Sequence, residues 1–200
     1  MRVVTVQHRV TSYTHRRALG WLAVLPLLLL ACGPGSYELG DEGPGGGIIV
    51  FVDERDAYDD FTYLEVAPPD WSDQGRDPAA PWGCSGAETG ATGARVGDGR
   101  ANTTAILDRC NERPIAASLA DELRLGGQRD WFLPSSFDLH VAMNHFNDRG
   151  LTGFVGDGYW SSTELSGVSA PQVAEGMRQG SIGGTADKHQ RLWVRPMRTF

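Results

Sequence analysis

The residues best suited to acid–base or metal chemistry lie on a predicted helix, Phe137 to Phe146, and just after the strand that follows it. Asp138 and His140 on the helix, together with Glu164, are the candidates for proton transfer. A solvated helix face and a polar strand end explain them more simply. His140 and His145 differ by five positions, which separates them by roughly 140 degrees around a helix, so they cannot bind one metal ion. The sequence therefore predicts a non-catalytic protein without a cofactor or metal site.

An acidic cluster follows the first predicted strand, and carboxylates are the ligands that Ca²⁺ prefers. Its members are Asp53, Glu54, Asp56, Asp59 and Asp60. The cluster lacks the spacing of a calcium loop, with its central glycine and terminal glutamate. We expect a solvated hairpin turn here.

The first 31 residues have the features of a secretory signal. They contain four arginines and no acidic residue, and an apolar stretch that is short for a membrane span leads into Cys32. The ending Leu29-Leu30-Ala31-Cys32 resembles the lipobox of bacterial lipoproteins, in which the signal is removed and the cysteine is lipidated, with palmitate among the acyl chains. We predict a signal peptide at 1–31 and a lipoprotein held on a membrane of the bacterial cell envelope, facing away from the cytoplasm. An uncleaved membrane anchor is the alternative.

Two further cysteines, Cys84 and Cys110, remain in the exported part. An even pair in an exported chain predicts a disulfide, worth about 3 kcal/mol in the chain-entropy model. A thiol site for a metal or for catalysis is the alternative, although few other ligands lie nearby in the sequence.

The charge of the mature chain limits its partners. All 25 acidic residues follow Cys32, whereas four of the 18 basic residues precede it, which leaves 14 basic residues and a formal charge of −11. Affinity for nucleic acid depends on clustered lysine and arginine, so nucleic acid is a poor candidate. A cation, a sugar or another protein suits an acidic, exported domain better.

Local patterns predict the elements that must position these residues. Glycine-rich residues 32–47 have no apolar period, which predicts a flexible linker with a reach of roughly 20 Å. Residues 70–101 form a long irregular stretch that Trp71, Trp82 and the disulfide must order. The predicted helices are 105–112, 116–125 and 137–146, and the predicted strands are 48–53, 61–67, 130–133, 159–163, 170–178 and 191–200.

Two aromatic-rich stretches, Asp130–Leu139 and Gly158–Glu164, form the predicted centre of the domain. Pro134 ends the strand of the first stretch because proline cannot donate to a sheet ladder, and Ser135 or Ser136 caps the following helix. The predicted core residues are Trp131, Pro134, Trp160 and Trp193. The last strand is expected to pair with the first and to bring the termini of the domain together.

Six blocks in this order match a known family: Gly46–Asp53, Trp82–Cys84, Gly97–Thr103, Asp130–Ser135, Tyr159–Glu164 and Val194–Phe200. They resemble the Lcl C-terminal-like domain family, a bacterial exported family of unknown function, and the resemblance covers residues 46 to 200. It implies a single domain at 48–200 with a C-type-lectin-like α+β fold, in which helices pack on a small twisted antiparallel sheet whose terminal strands are adjacent. It also implies binding of glycans and extracellular matrix. The signatures of calcium-dependent lectins are absent, as are the C-terminal copper-binding cysteines of the formylglycine-generating enzymes.

These observations favour a lipid-anchored recognition or adhesion domain that binds a glycan or an extracellular protein. A structural envelope lipoprotein that packs against a partner is the second hypothesis, and an enzyme of unknown reaction is the third. Exposed tryptophans would favour recognition, because sugars stack on aromatic faces. A fully buried set (Trp71, Trp82, Trp131, Trp160 and Trp193) would favour the structural role.

Overall fold

Three helices and two small sheets make up the part of the chain that the computed structural model describes, namely residues 35–151, 153–154, 158–165, 169–173 and 184–200. The helices are α1 (Gly99–Arg109), α2 (Ala116–Asp121) and α3 (Ser136–Asp148). The strands are β1 (Ile48–Val52), β2 (Tyr63–Val66), β3 (Ala79–Pro81), β4 (Tyr159–Trp160), β5 (Ser169–Val173), β6 (Thr185–Asp187), β7 (Arg191–Trp193) and β8 (Met197–Thr199). The predicted α+β class is confirmed.

The first sheet has the order β1-β2-β8, and both of its pairings are antiparallel. The prediction that the first and last strands pair directly is wrong, because β2 lies between them. β1 and β2 form a hairpin, so the free edge of β2 receives β8, with Leu64 opposite Thr199. The termini of the domain still lie in the same sheet.

The second sheet has the order β3-β7-β4-β5-β6. Its β4–β7 pair is parallel and its other pairs are antiparallel. The single strand predicted at 191–200 is therefore wrong: the chain leaves the second sheet after Trp193 and enters the first at Met197. Pro196, which has no N–H to donate, lies at this crossing. The predicted strand at 170–178 is found as far as Val173, and the rest of it lies outside the described residues.

The helices differ from their predicted bounds at their ends: α1 is displaced at both ends, α2 ends four residues early and α3 ends two residues late. α1 begins at Gly99 and not at Ala105, because Gly97 adopts a turn with φ of 90° and the carbonyl of Asp98 already accepts a helical bond from Asn102 N–H. α2 ends at Asp121 and not at Leu125. α3 begins as predicted, since the Ser135 hydroxyl accepts from the N–H of Asp138 and the Asp138 carboxylate accepts from the N–H of Ser135.

Three tryptophans anchor the interior. Trp82, Trp131 and Trp160 are at most 2% exposed, whereas Trp71 and Trp193 are half-buried. The two aromatic-rich stretches meet, because the buried Pro134 carbonyl accepts from Ser162 N–H at 2.7 Å. The strand predicted at 130–133 is reduced to a single bridge between Phe132 and Met197.

Cys84 and Cys110 form the predicted disulfide, with their Cα atoms 5.7 Å apart. It ties the irregular segment before α1 to the residue that caps the C-terminal end of this helix. Within the described ranges, no helix combines the length and the apolar character needed to cross a bilayer.

Candidate recognition cleft

The glycine-rich segment before β1 is packed onto the domain from Tyr37 onward, in contrast to the flexible linker predicted for residues 32–47. Its amides at Gly45 and Gly47 donate to the carboxylate of Glu65 in β2, with the closest approach, from Gly47 N, at 2.7 Å. Glu42 also forms a bridge with Ile48. A compact unit accordingly begins at Ser36.

Steric crowding explains why glycine recurs in this segment. A Cβ atom at Gly43 would lie 2.5 Å from the carboxyl carbon of Glu65, and one at Gly45 would lie 2.6 Å from the indole of Trp131. Side chains are therefore excluded where the backbone passes over this carboxylate. Composition alone cannot distinguish this use of glycine from flexibility.

Glu65 belongs to a buried ion network that the sequence analysis missed. Arg198 in β8 bonds Glu65 at 2.9 Å and also bonds Asp130 at 2.8 Å, and Glu65 is fully buried. Burial would raise the pKa of Asp130, but the hydrogen bonds and charge of Arg198 outweigh it and hold this pKa below its ordinary value. The network joins the N-terminal segment to β2, to β8 and to Asp130.

Two other buried networks contain polar residues of types that are suited to catalysis or ligand binding. Glu164 pairs with the buried Lys188 and accepts from the amides of Thr89 and Gly90. Burial would raise the pKa of Glu164, but Lys188 and the Thr89 bonds outweigh this effect and lower it. Elsewhere, Asp77 pairs with Arg195. The two partners of each pair are far apart in the sequence, so no local sequence pattern predicts the pairing.

The predicted proton-transfer candidates do not come together as a catalytic pair. Asp138 is fully buried at the start of α3, where its carboxylate accepts from the N–H groups of Gly97 and Ser135 at 2.7 and 2.8 Å. Burial raises the pKa of Asp138 to about 6, although these hydrogen bonds oppose the rise. His140 is half-buried beside the ring of Phe137. Asp138 therefore has a structural role in capping α3 and holding the Gly97 turn.

Metal-ligand geometry arises at one place in the described part of the chain, around Cys84, Cys110 and Glu112. The two sulfur atoms are bonded to each other, and Glu112 accepts a hydrogen bond from the N–H of Cys84. This arrangement is a disulfide with a capped turn.

In the acidic cluster, Asp53 is buried and accepts from the amide of Tyr58, while the other four carboxylates are exposed.

A cleft of about 630 Å³ opens between the β1–β2 loop and the first turns of α1. Thr199 of β8 closes one side of it. The other lining residues are Ala57, Tyr58, Asp60, Phe61, Arg95, Val96, Gly97, Asp98, Arg100, Ala101 and Thr104. The rings of Tyr58 and Phe61 lie 4.6 Å apart and form its aromatic side.

Several polar groups in this cleft are available to a ligand. Among the described residues, the guanidinium of Arg95, the hydroxyl of Tyr58 and the carboxylate of Asp60 make no hydrogen bond or ion pair. The guanidinium of Arg100 lies 3.5 Å from Asp130 and 3.4 Å from the carbonyl and hydroxyl oxygens of Thr199, and its side chain is 45% exposed. Donors and acceptors therefore line a concave surface beside aromatic rings, which is the composition of a small-ligand site.

Comparison with protein-family models finds no match, and comparison with curated proteins finds no significant one.

Proposed function

We propose that the mature chain is a lipid-anchored recognition domain of the bacterial cell envelope, attached through Cys32, and that it binds a glycan in the cleft described above without acting on it chemically. The fold underlying this role would be the C-type-lectin-like arrangement implied by the family resemblance. The lipobox before Cys32 supports the anchor and the envelope location.

The observation that carries the proposal is the set of unpaired polar groups beside the half-buried ring of Tyr58 in one cleft. Sugar hydroxyls can each donate and accept, so they suit a surface that offers Arg95 as a donor and Asp60 as an acceptor. Tyr58 adds an aromatic face and a hydroxyl group. Binding of matrix proteins would follow if they present such sugars.

A structural role remains the second candidate, and two observations favour it. Trp82, Trp131 and Trp160 are buried and serve the core, so they do not provide stacking platforms. Phe137 and Leu165 are exposed, at 46% and 60%, and could contact a partner protein.

A glycan array probed with the mature protein carrying Cys32→Ser tests the proposal. We expect binding to a defined set of glycans, reduced at least tenfold by Tyr58→Ala and by Arg95→Ala. Arg109→Ala is the matched control, because Arg109 is exposed at the other end of α1 and should leave binding unchanged. Failure of every glycan to bind, or equal binding by the cleft variants, would contradict the proposal. Loss of a co-purifying partner on substitution of Phe137 would favour the structural role.

A further inference from the structure

The chain contains a single lysine, and that lysine is buried. Lys188 is the only lysine among the 18 basic residues, and its side chain is fully buried in the turn that follows β6. Two further buried ion pairs in the described part of the chain, Asp77–Arg195 and Glu65–Arg198, use arginine instead. A guanidinium would supply the same charge to Glu164, but it does not lose its proton in proteins. What lysine alone provides at this position is a primary amine, which becomes a nucleophile when it is deprotonated.

The carboxyl group of Glu164 lies against this amine, and both side chains are buried. The amine of Lys188 bonds Oε1 of Glu164 and donates to the carbonyl of Ala87 at 2.7 Å. The other carboxyl oxygen, Oε2, accepts from the N–H groups of Thr89 and Gly90, each at 2.8 Å, and from the Thr89 hydroxyl at 3.0 Å. Three donors therefore converge on one oxygen while an amine lies beside the other, as in the oxyanion holes that stabilise acyl transfer.

We propose that Lys188 and Glu164 form an intramolecular isopeptide bond, which makes this pair a site of covalent modification within the chain. The pair starts ionised: burial would raise the pKa of Glu164, but Lys188 and the Thr89 bonds outweigh this effect and lower it. Transfer of one proton from the ammonium to Oε1 gives a neutral amine and a neutral carboxylic acid. The amine nitrogen then attacks the carboxyl carbon, and the N–H groups of Thr89 and Gly90 stabilise the charge that develops on Oε2.

The reaction is a condensation that needs no other reactant. The amine nitrogen gives a second proton to Oε1, the bond between the carboxyl carbon and Oε1 breaks, and one molecule of water leaves. A cavity of about 240 Å³ adjoins Glu164 and provides an exit for this water. Both polar groups of the new amide keep partners that are already in place. Its N–H can donate to the Ala87 carbonyl, and its oxygen retains the donors of Oε2.

Two physical effects favour the amide over the ion pair at this site. Burial of two charges costs free energy, whereas the amide is neutral and fully hydrogen-bonded. The fold also holds the two groups together, and well-oriented intramolecular reactions reach effective molarities of roughly 10⁵–10⁸ M. The ring of Trp82, whose centroid lies 4.4 Å from the amine, covers the site and helps to exclude the water that would reverse the reaction. The inference is independent of the proposed glycan cleft.

Tandem mass spectrometry of tryptic peptides from the full-length protein tests the proposal, after denaturation, reduction and alkylation of the cysteines. Trypsin cleaves after Arg149, Arg178 and Arg191, and after Lys188 only if its amine is free. We expect a branched peptide that joins residues 150–178 to residues 179–191, lighter than the sum of the two by one molecule of water, with the link at Glu164. Cleavage after Lys188 in most of the protein, with residues 150–178 at full mass, would overturn the proposal.

Two substitutions identify the linked residues. Lys188→Met keeps an unbranched side chain but removes the amine, so it should give two separate peptides of full mass. Glu88→Gln is the matched control, because Glu88 is exposed beside the same cavity and should leave the branched peptide unchanged. Loss of water that persists in Lys188→Met, or loss of the branched peptide in Glu88→Gln, would contradict a bond between Lys188 and Glu164. The peptides of the unsubstituted protein decide the matter even if Lys188→Met does not fold.

Discussion

Replacement of Glu65 by Gln should release the N-terminal segment while leaving the rest of the domain folded. The substitution keeps the size of the side chain but removes its charge, and one of its two oxygen acceptors becomes a donor. Gly45 N–H, Gly47 N–H and Arg198 all donate to this carboxylate, so at least one buried donor loses its partner. A buried unsatisfied group costs about 1–3 kcal/mol, and removal of one member of a buried ion pair costs about 3–5 kcal/mol. Arg198 keeps Asp130 as a partner, so we expect a loss of about 3 kcal/mol.

Amide hydrogen exchange resolves where this loss occurs. If the segment opens locally, exchange at Gly45 and Gly47 should accelerate about 100-fold, the factor that corresponds to about 3 kcal/mol. The matched control is Asp130→Asn, which removes the outer partner of Arg198 but does not touch the two glycine amides. It should leave their exchange unchanged. Unchanged protection of Gly45 and Gly47 in the Glu65→Gln protein would refute the view that this carboxylate holds the segment.

Two further predictions concern the core and its pH dependence. Trp160→Phe should destabilise the protein by about 1–3 kcal/mol more than Trp131→Phe in urea unfolding, because the indole N–H of Trp160 donates to the buried Ala80 carbonyl, whereas that of Trp131 has no partner among the described residues. Equal costs would contradict this reasoning. The pKa of Asp138, raised to about 6 by burial, implies that the folded protein holds this proton more tightly than the unfolded chain does. Stability contributed by this proton is present below about pH 4 and is lost as the pH rises to about 6, by up to about 3 kcal/mol. The urea midpoint of the wild type should therefore fall relative to that of Asp138→Asn over this pH range, and parallel pH profiles would show that Asp138 does not titrate there.

Local signals predicted most of the helices because their determinants are close in sequence. Ser135 and Asp138 form a capping box within four residues, and α3 begins where they place it. The presence of both helices and strands and the Cys84–Cys110 disulfide were likewise predictable, the first from apolar runs and helical spacing and the second from the cysteine number of a chain predicted to be exported. Strand pairing was not predictable from local patterns. The register that joins β2 to β8 depends on contacts between residues 133 positions apart, such as that between Glu65 and Arg198.

The N-terminal segment shows the main limit of composition. Glycine-rich sequence indicates flexibility in the absence of other information, yet Gly43 and Gly45 are required here by contact with Glu65 and Trp131. The cleft was not predictable from the sequence either. Its aromatic side, its basic side and Thr199 come from three separate parts of the chain. The acidic cluster marked one of these parts, but its role beside a cleft depends on the placement of α1.

Chemical-shift mapping tests binding in the cleft without any substitution in the lining residues. Isotope-labelled mature protein carrying Cys32→Ser is titrated with a glycan that binds in the array, and backbone amide shifts are followed. We expect the largest shifts to cluster at Tyr58, Gly97, Arg100 and Thr199 around the cleft. Shifts confined to the surface around Phe137 and Leu165, with the cleft amides unmoved, would contradict binding in the cleft.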